Sequence, residues 1–317
     1  MTRSRPVFRS PSGRPHGRWV RLTLVVALAH AALLAVVHAR PGLIAVVVWW
    51  IWPPLAGLAV VALLIVALRS SWQSRMTPTG DQLVGFTLLI AISAALATFR
   101  TYPSSHDHRP SDVSFRLPLD GPVTVAWGGS TRASNYHAVI PDQRWAYDLL
   151  VTENGRSFRG NGTRLEDYFV YERPVLAPAD AVVFRVRDGE PDEDIGHWQV
   201  RRTTGNHVIL QVASHEFLFI AHLQRGSIVV TPGERVRPGQ TIGRVGNSGN
   251  ASEPHVHLHL QDTPTPYLGE GIPLHFSNYR ADGRQVDRGM PTGGRSRNSR
   301  FWPGAFTGQV VEQVRSP

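Results

Sequence analysis

The 317-residue chain has no cysteine and no lysine. The absence of cysteine excludes disulfides and thiolate metal sites, which leaves histidine and carboxylate as the side chains able to hold zinc. The absence of lysine makes every basic residue an arginine, a bias without mechanistic content. Acidic residues are scarce at one end only. Residues 1–100 contain ten arginines and a single acid, Asp81, whereas the remainder holds 23 basic and 23 acidic residues. The net charge of +9 therefore belongs entirely to the first hundred residues. It gives no support to nucleic-acid binding.

Three apolar stretches occupy that basic region: Leu22 to Ala39, Leu43 to Leu68 and Leu83 to Phe99. The first and third lack charge and measure 18 and 17 residues, near the short end of what spans a bilayer core of about 30 Å. The second measures 26 residues and contains Pro53-Pro54, so it reads either as one kinked span or as a re-entrant pair. Trp49, Trp50 and Trp52 crowd together as interface residues do. Arg3, Arg5, Arg9, Arg14, Arg18 and Arg21 precede the first stretch, Arg40 alone lies in the first loop, and Arg69 and Arg75 lie in the second. By the positive-inside rule the N-terminus and second loop are cytoplasmic. The expectation is a multi-pass plasma-membrane protein with three spans in residues 1–100, in contact with the lipid bilayer, and everything after Arg100 extracytoplasmic. A cleaved signal peptide fits poorly, because further apolar stretches follow the first.

Residues 101–120 are polar and contain Pro103, Ser104, Ser105, Pro110 and Ser111, which suggests a linker. From about 121 to 287, β-rich runs alternate with turns: Val123–Trp127, Trp145–Val151, Ala181–Val186, Trp198–Arg202, His207–Val212, Glu216–His222, Thr241–Val245 and His255–Leu260. Their spacing predicts an all-β sandwich or barrel. Residues 288–317 are rich in Gly, Ser, Arg and Pro and read as a flexible tail with one further strand at Gln309–Val314.

The most informative segment is Pro254-His255-Val256-His257-Leu258-His259-Leu260. In a strand, side chains alternate between faces, so His255, His257 and His259 share one side and Val256, Leu258 and Leu260 the other. A surface strand that happens to be rich in histidine would look the same, but imidazole is also the commonest protein ligand for zinc. Other residues extend the pattern. Asp148 is a lone carboxylate within the apolar run Trp145–Val151, where burial is costly unless the group is paired or bound to a metal. His222 ends the apolar run Phe217–Ala221, and His137 lies just upstream of Asp148. His106, His108, His197, His207, His215 and His275 carry no motif support.

With these residues in view, the chain resembles the lysostaphin-type (LytM) zinc metallopeptidases, which cut peptide crosslinks of bacterial cell walls. The resemblance covers about residues 120–280. It rests on Asp148, Ala221-His222-Leu223, Gly239-Gln240-Thr241-Ile242-Gly243, Gly246-Asn247-Ser248-Gly249-Asn250 and Pro254-His255-Val256-His257, with Val175–Val183 similar to a strand opening the family's barrel. It implies an open antiparallel β-barrel or sandwich of the LytM (duplicated hybrid motif) type and a Zn2+ cofactor. It further implies Asp148 and His257 as zinc ligands and His222 and His255 as catalytic histidines whose individual roles stay open. The family usually has a histidine four residues before the metal-binding aspartate, and here that position is Arg144, which cannot ligate. His137 is the candidate to replace it, with Arg144 expected to point away, pairing with an acid such as Asp142. His259, one pleat further along, reads as a supporting or groove residue.

The resemblance implies a metalloendopeptidase acting on peptidoglycan or another peptide, with no nucleic-acid partner. The alternative is a catalytically degenerate LytM-like module that binds cell wall or activates other hydrolases, which Arg144 favours. A biotinyl-carrier reading of Gly239–Gly243 requires a lysine that the chain lacks. The polar segment from Asn154 to Pro174 reads as a loop over the groove.

Overall fold

Within the first hundred residues, two long helices form where the apolar stretches predict them. Helix α1 spans His16–His38 and helix α2 spans Leu43–Ser74. The computed structural model describes residues 16–39, 42–74, 84–85, 87–92, 101–197, 199–294, 306 and 308–314. It divides the chain into a helical unit and a β-rich unit. Helix α2 runs through Pro53 and Pro54 without a break, so the second stretch is one helix and not a re-entrant pair. Windows in α1 (Arg21–His38) and α2 (Leu43–Ile65) are long and apolar enough to cross a membrane. Leu28, Leu58 and Leu68 are 69%, 68% and 64% exposed, a surface that suits lipid better than water. The third stretch is helical at 84–85 and 87–92, and the rest of it lies outside the described residues.

The second unit is built from antiparallel strands: β1 Val123–Trp127, β2 Tyr147–Leu150, β3 Pro174–Leu176, β4 Ala181–Arg187, β5 Asn206–Ala213, β6 Glu216–Leu223, β7 Arg235–Val236, β8 Thr241–Arg244, β9 Val256–Gln261, β10 Gly271–Ile272, β11 Phe276–Ala281, β12 Arg284–Gly289 and β13 Val310–Gln313. Among the described residues, eleven of them form one open sheet in the order β12-β11-β13-β1-β2-β9-β6-β5-β4-β7, with β10 on β9. Strands β3 and β8 form a separate pair. This is the open, all-antiparallel architecture expected from the sequence. Alternation supplies the core. Val208 and Leu210 of β5, Leu218 and Ile220 of β6, and Val256, Leu258 and Leu260 of β9 all point into one buried cluster. The opposite face of β9 carries His257 and His259, with His255 just before the strand, and all three are buried.

The fold departs from expectation in several places. Residues 199–202 form no strand; instead the Gln199 amide donates to the Gly249 carbonyl (2.9 Å), so this segment braces a turn. Residues 101–120 are not a free linker. Tyr102, Phe115, Leu117 and Leu119 are fully buried, and backbone hydrogen bonds Arg116 N to Pro178 O and Leu176 N to Pro118 O (both 2.8 Å) tie the segment to the β unit. The apolar alternation Phe115-Leu117-Leu119 is what holds it down. At the other end, β13 appears where the last strand was expected and inserts between β11 and β1. The sheet thus extends beyond 121–287 at its C-terminal side, while residues 295–305 lie outside the described residues.

Two tight turns cross near the centre of the unit. Gly205 (φ +55°) and Gly249 (φ +83°) approach so closely that a Cβ on Gly249 would meet the Gly205 backbone nitrogen at 2.4 Å, and one on Gly205 would meet the Ser248 carbonyl at 2.4 Å. This contact brings the 246–250 turn onto the entrance of β5, where the Asn206 amide donates to Ser248 Oγ (2.9 Å). Gly249→Ala is expected to cost about 3 kcal/mol or more, combining backbone strain with the clash. Gly283→Ala, at a positive φ facing open space, should cost about 1 kcal/mol. Thermal unfolding of the two variants side by side checks the difference.

Candidate metal centre

Strand pairing sets the site. In the β2–β9 register Asp148 faces His257, and in the β6–β9 register Ala221 faces His257, which leaves His222 one residue further along β6. His137 arrives from outside the sheet, on a single 3-10 turn, Tyr136–Val139. Asn135 holds that turn in place. Its Oδ1 accepts from His137 N (3.0 Å), while its Nδ2 donates to the carbonyls of Gly129 and Ala146 (3.1 Å each). Asn135 carries no motif signal, and sequence reasoning missed it.

The result is a buried cluster in which ligand atoms of His137, Asp148 and His257 lie within 4.8 Å of one another. His137 Nε2 is 3.0 Å from Asp148 Oδ2, and His257 Nδ1 is 2.8 Å from Asp148 Oδ1. His255 Nε2 stands 3.7 Å from the same Oδ1. Burial alone would raise the Asp148 carboxyl, but the surrounding imidazoles reverse this and hold it well below the usual carboxylate range.

His222 and His255 flank the cluster with ring centroids 4.8 Å apart. Each has its Nδ1 against a main-chain carbonyl, Ser248 O for His222 and Glu253 O for His255, at 2.8 Å in both cases. A carbonyl only accepts, so each Nδ1 carries the proton and each neutral ring turns a bare Nε2 away from that contact. His222 also adopts φ +62°, an uncommon conformation for a non-glycine residue and one that collects at functional sites. Burial, with His255 and His257 adding to it, pushes His222 well below the ordinary imidazole value. A cleft of about 370 Å³ opens beside Trp127, Tyr136, Asp148 and His255, and a smaller one of about 110 Å³ beside His137, His222 and His257. Tyr136 borders both.

Arg144 does not enter the site. It is buried, but its Nε donates to Tyr102 O (2.9 Å) and its Nη1 to Ser130 O (2.8 Å), with Asp107 3.7 Å from Nη2. The expected pairing with Asp142 is not found. Asp142 accepts from the Tyr267 amide instead (2.7 Å), and burial raises its carboxyl to about 6. His259 lies behind His257 and stacks on Phe219 (centroids 4.7 Å, 13°). Among the histidines without motif support, His106 groups with Asp262 and Glu270, but the Tyr102 and Ser105 hydroxyls already engage the Glu270 carboxylate.

The donor set suits a divalent cation. Asp148, which can only accept, is approached by two imidazole nitrogens, His137 Nε2 and His257 Nδ1. A carboxylate between two imidazoles is a common zinc ligand chemistry.

Burial lowers His207, His222, His257 and His259. Below about pH 6.5 the unfolded chain takes up protons that the folded chain refuses. Their stabilisation is therefore full above that pH and is lost as pH falls through it. Asp142 acts in the opposite sense: its raised value stabilises the fold at low pH, and that contribution is lost as pH rises through about 6. Burial lowers His275 and raises Asp192 as well, so five histidines stand against two acids. The thermal midpoint of the full chain, with metal stripped by chelator, should fall between pH 7 and 5.5. Asp142→Asn, which keeps an acceptor for Tyr267, should steepen the fall.

Residues 165–267 match the model of peptidase family M23, a span that includes His222, His255 and His257 and begins after His137 and Asp148. Over 82 residues the chain is 32% identical to the peptidoglycan DD-endopeptidase ShyC of Vibrio cholerae, a match covering 26% of this chain and 18% of that relative. The chain thus spans under a fifth of the relative's length. Among solved structures, similarity extends to a zinc-containing peptidase from Vibrio cholerae (19% identity, 55% of this chain and 39% of that one, TM-score 0.32). It extends also to the catalytic domain of lysostaphin from Staphylococcus simulans (14% identity, 51% and 87%, TM-score 0.27). Over residues 165–267, then, the β-rich unit is similar to peptidase family M23.

Proposed function

We propose that this domain is a zinc-dependent endopeptidase that hydrolyses peptide crosslinks of peptidoglycan on the outer side of the plasma membrane. The observation that carries this reading is the convergence of His137, Asp148 and His257 on one point, with His222 and His255 beside it in a fixed tautomer. His137, Asp148 and His257 would hold the ion, and three protein ligands leave a position for water and substrate, as catalytic zinc sites require. Zinc bound there supplies a Lewis acid and a water of lowered pKa.

The flanking histidines then divide two tasks between them. One accepts the proton of the attacking water through its bare Nε2 and passes it to the leaving amine. The other must carry a second proton, on Nε2, to donate to and stabilise the tetrahedral oxyanion. The Ser248 and Glu253 carbonyls keep both rings turned toward the reacting atoms. The substrate class draws support from the peptidoglycan DD-endopeptidase relative and from the arginine distribution, which assigns the β unit to the outer side if residues 1–100 span three times. Arg144 favours the competing reading, a degenerate module that binds wall without cutting it. Metal retention separates the two.

The full-length protein should retain one zinc per chain. His257→Ala and Asp148→Ala should lose it. His222→Ala and His255→Ala should keep it while cleavage of crosslinked muropeptides falls by about 10²-fold or more. Elemental analysis together with product chromatography measures both. Retention of zinc without any cleavage by the parent protein would leave the degenerate module as the better account.

Membrane layout has its own test. Reporter fusions after Arg75 and after Pro110 should report opposite sides of the membrane. Two reports from the same side would remove the third span and the topological support for a wall substrate.

A further inference from the structure

A line of hydrogen bonds runs from the metal-facing edge of the sheet to a loop. His257 Nε2 is 2.9 Å from His259 Nδ1, and His259 Nε2 is 3.0 Å from Gln261 Oε1. The Gln261 amide nitrogen then donates to Thr263 O (2.6 Å) and Thr265 O (3.0 Å). All three side chains lie on one face of β9, as alternation requires, and all are buried.

The polarity of this line is determined at its far end. Two carbonyl oxygens face the amide nitrogen of Gln261, and turning the amide over would set its oxygen against both of them. Its Oε1 must therefore face His259 as an acceptor. His259 Nε2 must then carry the proton, which leaves His259 Nδ1 as a lone pair. His257 Nε2 must donate to that lone pair. A neutral His257 consequently has a bare Nδ1, the nitrogen that lies 2.8 Å from Asp148 Oδ1. Two lone pairs facing each other across 2.8 Å repel, and a cation between them removes the conflict.

From this we infer that His259 and Gln261 are positioning residues that hold the His257 ring with Nδ1 unprotonated and aimed at the metal position. The inference rests on the metal-site reading proposed above. Phe219, stacked on His259 and paired with it across β6–β9, keeps the middle ring from turning. The loop carbonyls of Thr263 and Thr265 thus determine the protonation of a ligand three side chains away. An aromatic or aliphatic residue at 259 would fill the same space and lack this effect, which separates positioning from packing.

The test is the zinc affinity of the full-length protein, measured by competition with a chromogenic chelator, alongside the melting of the metal-free form. His259→Phe should weaken zinc by about 10- to 100-fold, the usual range for losing a partner of a metal-bound histidine. Gln261→Leu should weaken it in the same direction by a smaller factor. The double variant should be no weaker than His259→Phe alone, because both residues lie on one path. Metal-free melting of Gln261→Leu should stay within a few degrees of the parent, and this variant carries the test if His259→Phe fails to fold. Affinities within threefold of the parent in the folded variants would overturn the inference. If zinc depends on His257 while remaining indifferent to His259 and Gln261, only the relay fails. If His257→Ala leaves zinc binding unchanged, the metal-site reading itself fails, and the relay with it.

Discussion

The centre of this structure is one buried carboxylate. Asp148 sits on β2 with an apolar core behind it, where an uncompensated negative charge costs several kcal/mol. The surrounding elements are arranged to meet that cost with imidazole. Strand β9 crosses beside β2 in a register that puts His257 opposite Asp148, and β6 follows on its other side to bring His222 near. His137 comes from a turn that Asn135 fastens to the residue preceding β2. Sheet order, register and a single side-chain clamp therefore all converge on the same two oxygen atoms. A sheet with β9 slipped by one residue would turn its histidines toward the core and its valine and leucines toward Asp148.

Precision in the flanking histidines comes from backbone that is locally expensive. His222 takes a left-handed conformation, and its Nδ1 is held by a carbonyl that reaches it only because two glycine turns interlock at Gly205 and Gly249. Ser248 serves both sides of the crossing, accepting from Asn206 through Oγ, donating from the same oxygen to Leu223, and offering its own carbonyl to His222. Strain of this kind persists only where surrounding contacts over-determine it. The turn Gly246–Asn250, conspicuous in the sequence, thus acts as the template that orients an imidazole on another strand.

What could be read in the sequence follows from how local each signal is. The histidine alternation on β9, the lone acid on β2 and the apolar run ending at His222 are patterns within single segments, and the structure brings those segments together. His137 was legible only because Arg144 had left the family's usual position open. Asn135 was not legible at all, since its role is to join a turn to a strand eleven residues away. The buried entry segment was misread as a linker because its prolines and serines masked the alternation of Phe115, Leu117 and Leu119, each fully buried. Strands β11 and β12 were missed for a related reason. Their outward positions are polar or charged, and only Phe276, Tyr279 and Ala281 mark the buried side of β11. The chain of contacts behind His257 needed side-chain directions, which spacing alone does not provide.

Arg144 is better understood through what it holds than through the ligand it displaces. Its guanidinium reaches the Tyr102 and Ser130 carbonyls and stacks over Trp145 at 4.6 Å, with Asp107 nearby. These contacts tie the entry segment and the 130 region to the start of β2, a task that the planar, five-donor group performs and an imidazole could not. With its side chain engaged there, Arg144 leaves the space beside Asp148 to His137, the residue proposed above as the third ligand.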